Sequence, residues 1–146
     1  MQRSHPKLPR VAWIYGAAGL IPFLGCAAAD IAGAPPGQGW WRLALLIYAA
    51  VILSFLGGAR WGFELAHLPA KAVVITLSMA PSIAGFFLLL TPPHLQRWAL
   101  GGAVVAHILQ WAWDIQAKGA PDGYGRLRSV LAAGAVLSML AALALG

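Results

Sequence analysis

Charged side chains are scarce in this chain: four acids and ten bases among 146 residues, 10% of the total, where soluble domains carry roughly 25%. So little polarity excludes a soluble enzyme and a disordered tail. A single cysteine, Cys26, excludes an internal disulfide, and no CxxC zinc spacing occurs. There is no glycine-rich phosphate loop, no HExxH and no activated Ser or Cys nucleophile signature. The residues therefore point to a protein that is not an enzyme and has no catalytic residues. Solenoid repeats and low-complexity tracts are absent too.

What is present is hydrophobic sequence, 60% of the chain. Five apolar stretches, at about 11–29, 41–59, 72–90, 95–115 and 127–145, each approach the ~20 residues that carry a helix across hydrocarbon. Their Ala, Leu and Gly show no alternation of period two, and a segment in lipid must satisfy its own backbone, so they are helices and not barrel strands. Pro35-Pro36-Gly37, Leu68-Pro69, Thr91-Pro92-Pro93 and Gly119-Ala120-Pro121 mark the turns. Short turns make neighbouring helices antiparallel. The expected fold is all-α: an integral membrane bundle of five transmembrane helices forming one domain, residues 1–146. Pro22 and Pro81 are expected to kink their helices, and Arg128 to snorkel out of the first turn of the last one. A lipoprotein signal ending at Cys26 is the rival reading of the first stretch, but removing it would leave Trp40 and Trp41 at a new terminus.

The bases divide unevenly among the loops. Arg3, Lys7, Arg10, Arg60, Lys71, Lys118, Arg126 and Arg128 fall on one side, and only Arg42 and Arg97 on the other. The positive-inside rule then puts the N-terminus in the cytoplasm and the C-terminus on the opposite side. Bases used as topology signals account for the net charge of +6 and leave no patch for nucleic acid. The partners expected from the residues are membrane lipids and other transmembrane subunits.

Ionisable residues inside spans need a reason. Arg60 and Glu64 lie one turn apart and can pair. His107, Gln110 and Asp114 share a helical stripe. Together the five make a candidate polar cluster in the inner leaflet, with Arg60 available to Asp114, either to bind a ligand or to hold helices in register. Glu64-Leu65-Ala66-His67 is half of a di-iron signature, but the remaining acids are Asp30, Asp114 and Asp122, so no metal is expected. Most of the seven tryptophans lie near span ends, as an aromatic belt does. Trp111 beside His107 suggests room for a quinone or tetrapyrrole, although no cofactor is required. Gly58 and Gly62, and the Gly134–Ser138 ladder, are expected to be helix-packing positions.

The stretches Ala18–Phe23, Tyr48–Gly62 and Gln110–Asp114 resemble a family of small multi-pass membrane proteins of unknown function (domain of unknown function 3429), which includes the mitochondrial transmembrane protein 69. Ser54–Gly62 is the most specific piece. The family's Trp-Tyr pair before a Leu-Arg reads Gly123-Tyr124-Gly125-Arg126-Leu127-Arg128 here, without the Trp. The resemblance implies a bacterial inner-membrane location. With the short loops and small-residue faces, it leads to an expected role as accessory subunit or assembly factor of an energy-transducing inner-membrane complex. The alternative is a quinone or tetrapyrrole binder built on the polar cluster.

Overall fold

The computed structural model describes residues 7–118 and 120–146, apart from the side chain of Gln38. Arg3, counted in the orientation above, lies outside the described residues. Seven α-helices run in chain order among them: α1 Arg10–Ala18, α2 Ile21–Ile31, α3 Gln38–Leu65, α4 Ala72–Leu77, α5 Ala80–Leu89, α6 Gln96–Asp114 and α7 Tyr124–Leu145. They make five rods, because α1 with α2 and α4 with α5 are single spans interrupted near a proline.

Both interruptions have the same cause. Proline lacks an N–H and crowds the preceding turn, so α2 and α5 each start afresh with Pro22 or Pro81 in the first turn. At the first break the Tyr48 hydroxyl donates to the Gly19 carbonyl at 2.9 Å. At the second, Ser78 is fully buried and its hydroxyl donates to Ile75 O at 2.6 Å. Backbone opened inside lipid must be satisfied by the protein.

Four rods are long and apolar enough to cross a membrane: Arg10–Ile31, Gly39–Leu65, Ala72–Leu89 and Tyr124–Leu145. The expected fifth, α6, is not among these four. Its 19 residues reach about 28 Å at ~1.5 Å each, but it turns His107, Gln110 and Asp114 into the protein. α3 also runs past the expected end at 59 and carries Arg60 and Glu64 on added helical turns.

The rods pack in a ring, with α2 on α3, α3 on α5, α5 on α6, α6 on α7 and α7 back on α2, while α3 and α6 meet across the middle. One half of the bundle holds a dense core of Phe23, Leu45, Leu46, Ala49, Leu100, Ala103 and Met139. In that half α2 touches both α3 and α7. In the other half α1, beyond the Pro22 break, packs on α7 and leaves its seam with α3 wide. The outer surface shows Phe55, Phe86, Phe87, Leu137 and many other large apolar side chains. Such a surface belongs in lipid, since in water it would be an aggregation liability.

The close approach of α3 to the α4–α5 break falls on Gly57, not on Gly58 and Gly62 as the GxxxG spacing suggested. A Cβ on Gly57 would collide with the Ser78 carbonyl oxygen, whereas one on Gly58 or Gly62 would meet nothing within 4 Å. Gly134 does pack, its missing Cβ leaving room for Leu20, and Ser138 is buried with its hydroxyl on Gly134 O at 2.7 Å. Gly57→Ala is expected to cost about 1–3 kcal/mol by overpacking. Gly58→Ala should be neutral or gain up to ~1 kcal/mol of helix propensity. Thermal unfolding of both variants in mild detergent checks the contrast.

Candidate functional site

The polar residues of α6 sit where α6, the start of α7 and the far end of α3 converge. Asp114 is 1% exposed and both its oxygens are engaged. Arg128 of α7 places Nη2 2.8 Å and Nε 2.9 Å from Oδ2, and the Gln110 amide donates to Oδ1 at 2.8 Å. One turn away Trp111 Nε1 donates to Ser129 Oγ at 3.0 Å. These contacts fasten α6 to α7.

This differs from the sequence expectation in four respects. Arg128 does not snorkel; it is 6% exposed and supplies the counter-charge expected of Arg60. Arg60 instead lies over the Trp113 ring, 4.7 Å from its centroid, with Nε buried and without a partner among the described residues. Glu64 pairs with no base among the described residues and accepts the Lys71 backbone N–H at 2.7 Å. Trp111 is spent on Ser129 and does not line a pocket with His107. A buried carboxylate left without a counter-charge is strongly destabilising, so Arg128 turns inward to meet Asp114. A signal for it existed: Arg128 stands one heptad before Ala135 and two before Ala142, both buried on α7.

The opposite end carries a second pair that the sequence reading left apart. Asp30 at the end of α2 is fully buried, with Arg42 of α3 3.0 Å from its Oδ2. Oδ1 of Asp30 has no partner among the described residues. Next to it Arg97 of α6 donates to the backbone carbonyls of Leu143 and Gly146. So two of the bases expected as interface markers, Arg42 and Arg97, tie helix ends together. Among the described residues no three of His, Cys, Asp and Glu converge on a metal-sized space, and His67 turns Nδ1 to Phe63 O.

Between α1, α3 and α7 lies a cavity of about 460 Å³ with an almost wholly apolar wall. It occupies the half of the bundle that the Pro22 break leaves loosely packed. Tyr15 of α1 and Phe55 of α3, 74% and 68% exposed, border it, so its mouth faces sideways between these helices. Leu8 and Pro121 line the end, where Leu8 N bonds to Asp122 O at 3.2 Å. His107 is part of its wall. That imidazole is 3% exposed, its Nδ1 lies 2.9 Å from the Ala103 carbonyl, and its Nε2 has no partner among the described residues. The Phe23 ring meets it edge-on at 5.8 Å. A second, shallower groove of about 310 Å³ runs between α5 and α6 beside Gln110 and Trp113.

Comparison with known sequences bears on this architecture. The model of a family described as "Protein of unknown function (DUF3429)" matches residues 8–144. The chain belongs to the DUF3429 family. Transmembrane protein 69 of Xenopus tropicalis is 30% identical over 152 residues, which cover 92% of this chain and 54% of that protein. The chain thus spans about half the length of that DUF3429 relative. No solved structure matches. The match agrees with a multi-pass helical membrane protein and carries no activity with it.

The Asp114–Arg128 link generates a prediction. Arg128→Leu strands a buried carboxylate and should cost about 3–5 kcal/mol, while joining it to Asp114→Leu should restore most of the loss. Thermal unfolding of the single and double variants in detergent reads both values.

Proposed function

We propose that this chain is a multi-pass protein of the bacterial inner membrane that holds a lipophilic small molecule in the α1–α3–α7 cavity, binding it without chemistry of its own. One observation carries the reading: an apolar cavity of about 460 Å³ has in its wall a buried imidazole whose Nε2 has no partner among the described residues. Small-molecule sites have this make-up, a volume of roughly 300–1,000 Å³ with few polar groups in an apolar lining. The mouth between Tyr15 and Phe55 admits a ligand from the lipid. A single ring of the quinone–quinol class with an apolar tail suits the space better than a tetrapyrrole. Carboxylate side chains on a tetrapyrrole need cations, and the guanidinium at this cavity, Arg128, is already committed to Asp114.

The distribution of bases supports a cytoplasmic N-terminus. Lys7, Arg10, Lys71, Lys118 and Arg126 lie at or beyond the helix ends nearest the cavity, against Arg42 and Arg97 at the other end. The cavity then sits toward the cytoplasmic leaflet.

Filling the space tests the reading. Ala59→Phe, on the α3 wall, should lower the amount of co-purifying lipophilic molecule at least fivefold by mass spectrometry while the thermal unfolding profile stays intact. Unchanged ligand content would sink it.

A second reading, an accessory or assembly subunit of an energy-transducing inner-membrane complex, has its own support. Ser54, Gly58 and Gly62 form an exposed small-residue face on α3 with nothing against either glycine, and such faces let another helix approach closely. Under this reading Gly58→Leu releases the chain from a larger assembly on a native gel of solubilised membranes. Migration of the wild type only as a small free bundle contradicts it.

A further inference from the structure

The hydrogen-bonding sense of His107 narrows the ligand. Ala103 contributes a backbone carbonyl, which can only accept, so the hydrogen on the Nδ1 side belongs to the ring: Nδ1–H donates to Ala103 O across 2.9 Å. A neutral imidazole carries one N–H. With that hydrogen on Nδ1, Nε2 presents a lone pair. Among the described residues no group meets it. The ring stands in a cavity wall that is apolar apart from Tyr15, Tyr124 and Arg128, with the Phe23 ring edge against it. Nε2 is itself covered, so a donor reaches it as the neighbouring apolar side chains give way. A buried acceptor without a donor is costly, and a ligand that supplies a donor recovers that cost. A ligand offering a carbonyl there would set two lone pairs against each other.

We infer that the cavity selects a lipophilic hydroxyl compound, whose O–H donates to Nε2 of His107 while its apolar body fills the space between α1, α3 and α7. This rests on the binding reading above and sharpens it: among ring compounds the reduced, hydroxyl-bearing quinol is held and the oxidised carbonyl form is not. Phenolic and aliphatic hydroxyls share the required chemistry. The head is uncharged, because Arg128 beside the cavity is occupied by Asp114 through Nε and Nη2. An anionic head would compete with Asp114 for that charge. The sideways mouth and apolar wall suit a tail that stays partly in the bilayer.

The experiment uses the full chain in detergent, stripped of lipid, with two matched probe pairs: 4-dodecylphenol with 4-dodecylanisole, and farnesol with farnesyl methyl ether. Each ether keeps the body and lacks the donor. Wild type should bind at least one hydroxyl probe roughly tenfold tighter than its ether, the worth of one recovered buried hydrogen bond. Which pair discriminates tells a phenolic ligand from an aliphatic alcohol. His107→Phe, which keeps a ring and removes the acceptor, should bind probe and ether alike. Equal affinity of wild type for both members of both pairs, with Ala59→Phe blocking all four, overturns the hydroxyl selection and leaves the binding reading standing. Absence of binding by any probe, with Ala59→Phe indistinguishable from wild type in native lipid content, overturns both. A Soret band in the purified protein that is lost in His107→Phe also overturns the inference, because Nε2 would then be a metal ligand.

Discussion

An ionised carboxylate inside hydrocarbon must find a counter-charge and donors or it will not stay there. In this bundle Asp114 finds Arg128 and Gln110 within 2.9 Å. That requirement orders much of one end of the structure. It draws the first turn of α7 against the last turn of α6, buries the arginine that opens α7, and leaves Arg60 to rest on Trp113. The Trp111–Ser129 bond then continues the same α6–α7 seam. At the far end the same demand joins Asp30 to Arg42 and so ties α2 to α3 across their connecting loop. Three of the four acids of the chain lie in or at the ends of spans, and two of those are paired with an arginine from the next rod.

Between these two fastened ends the packing is uneven, and proline is the cause. Pro22 ends the continuity of the first rod just where α2 has filled the angle between α3 and α7. From Gly19 back to Arg10 the chain keeps company with α7 and leaves a space beside α3. Phe23 marks the border, with its ring against Tyr48 at 5.0 Å on one side and His107 at 5.8 Å on the other. One half of the bundle is therefore a dry core and the other half encloses a cavity. A membrane protein whose function was only to be packed against would have no need of that cavity or of an unpartnered nitrogen in its wall. Those two features weigh toward binding, and the open Ser54–Gly58–Gly62 face weighs toward association. The two proposed roles are compatible, since they would use different faces of α3.

The site was partly legible before the fold was known. His107, Gln110 and Asp114 fall on one stripe of α6, and the helical period alone assigns them to the interior, which is where they lie. Arg60 and Glu64 were brought to the same end by the length of α3 but were given the wrong partners. Spacing along one helix cannot tell which neighbouring helix will present the stronger charge. Arg128 escaped for a related reason. A base in the first turn of a span has two low-energy outcomes, outward to the headgroups or inward to an acid, and the choice depends on the register of α7 against α6. Gly57 escaped because GxxxG is a spacing rule, while close approach is decided by which face meets the α4–α5 break.

By itself the amino-acid sequence determined the solvent and the class of fold: apolar runs of bilayer length, prolines at the turns and breaks, and a sparse set of bases leave helices in lipid as the outcome. It also determined that buried charge would have to be paired. Only the tertiary structure decided who pairs with whom and that a cavity stands open beside His107. Local composition sets how each segment is solvated, a property of the segment alone, whereas partners and voids depend on the azimuth at which one helix meets the next. That angle emerges only when all the rods are packed together.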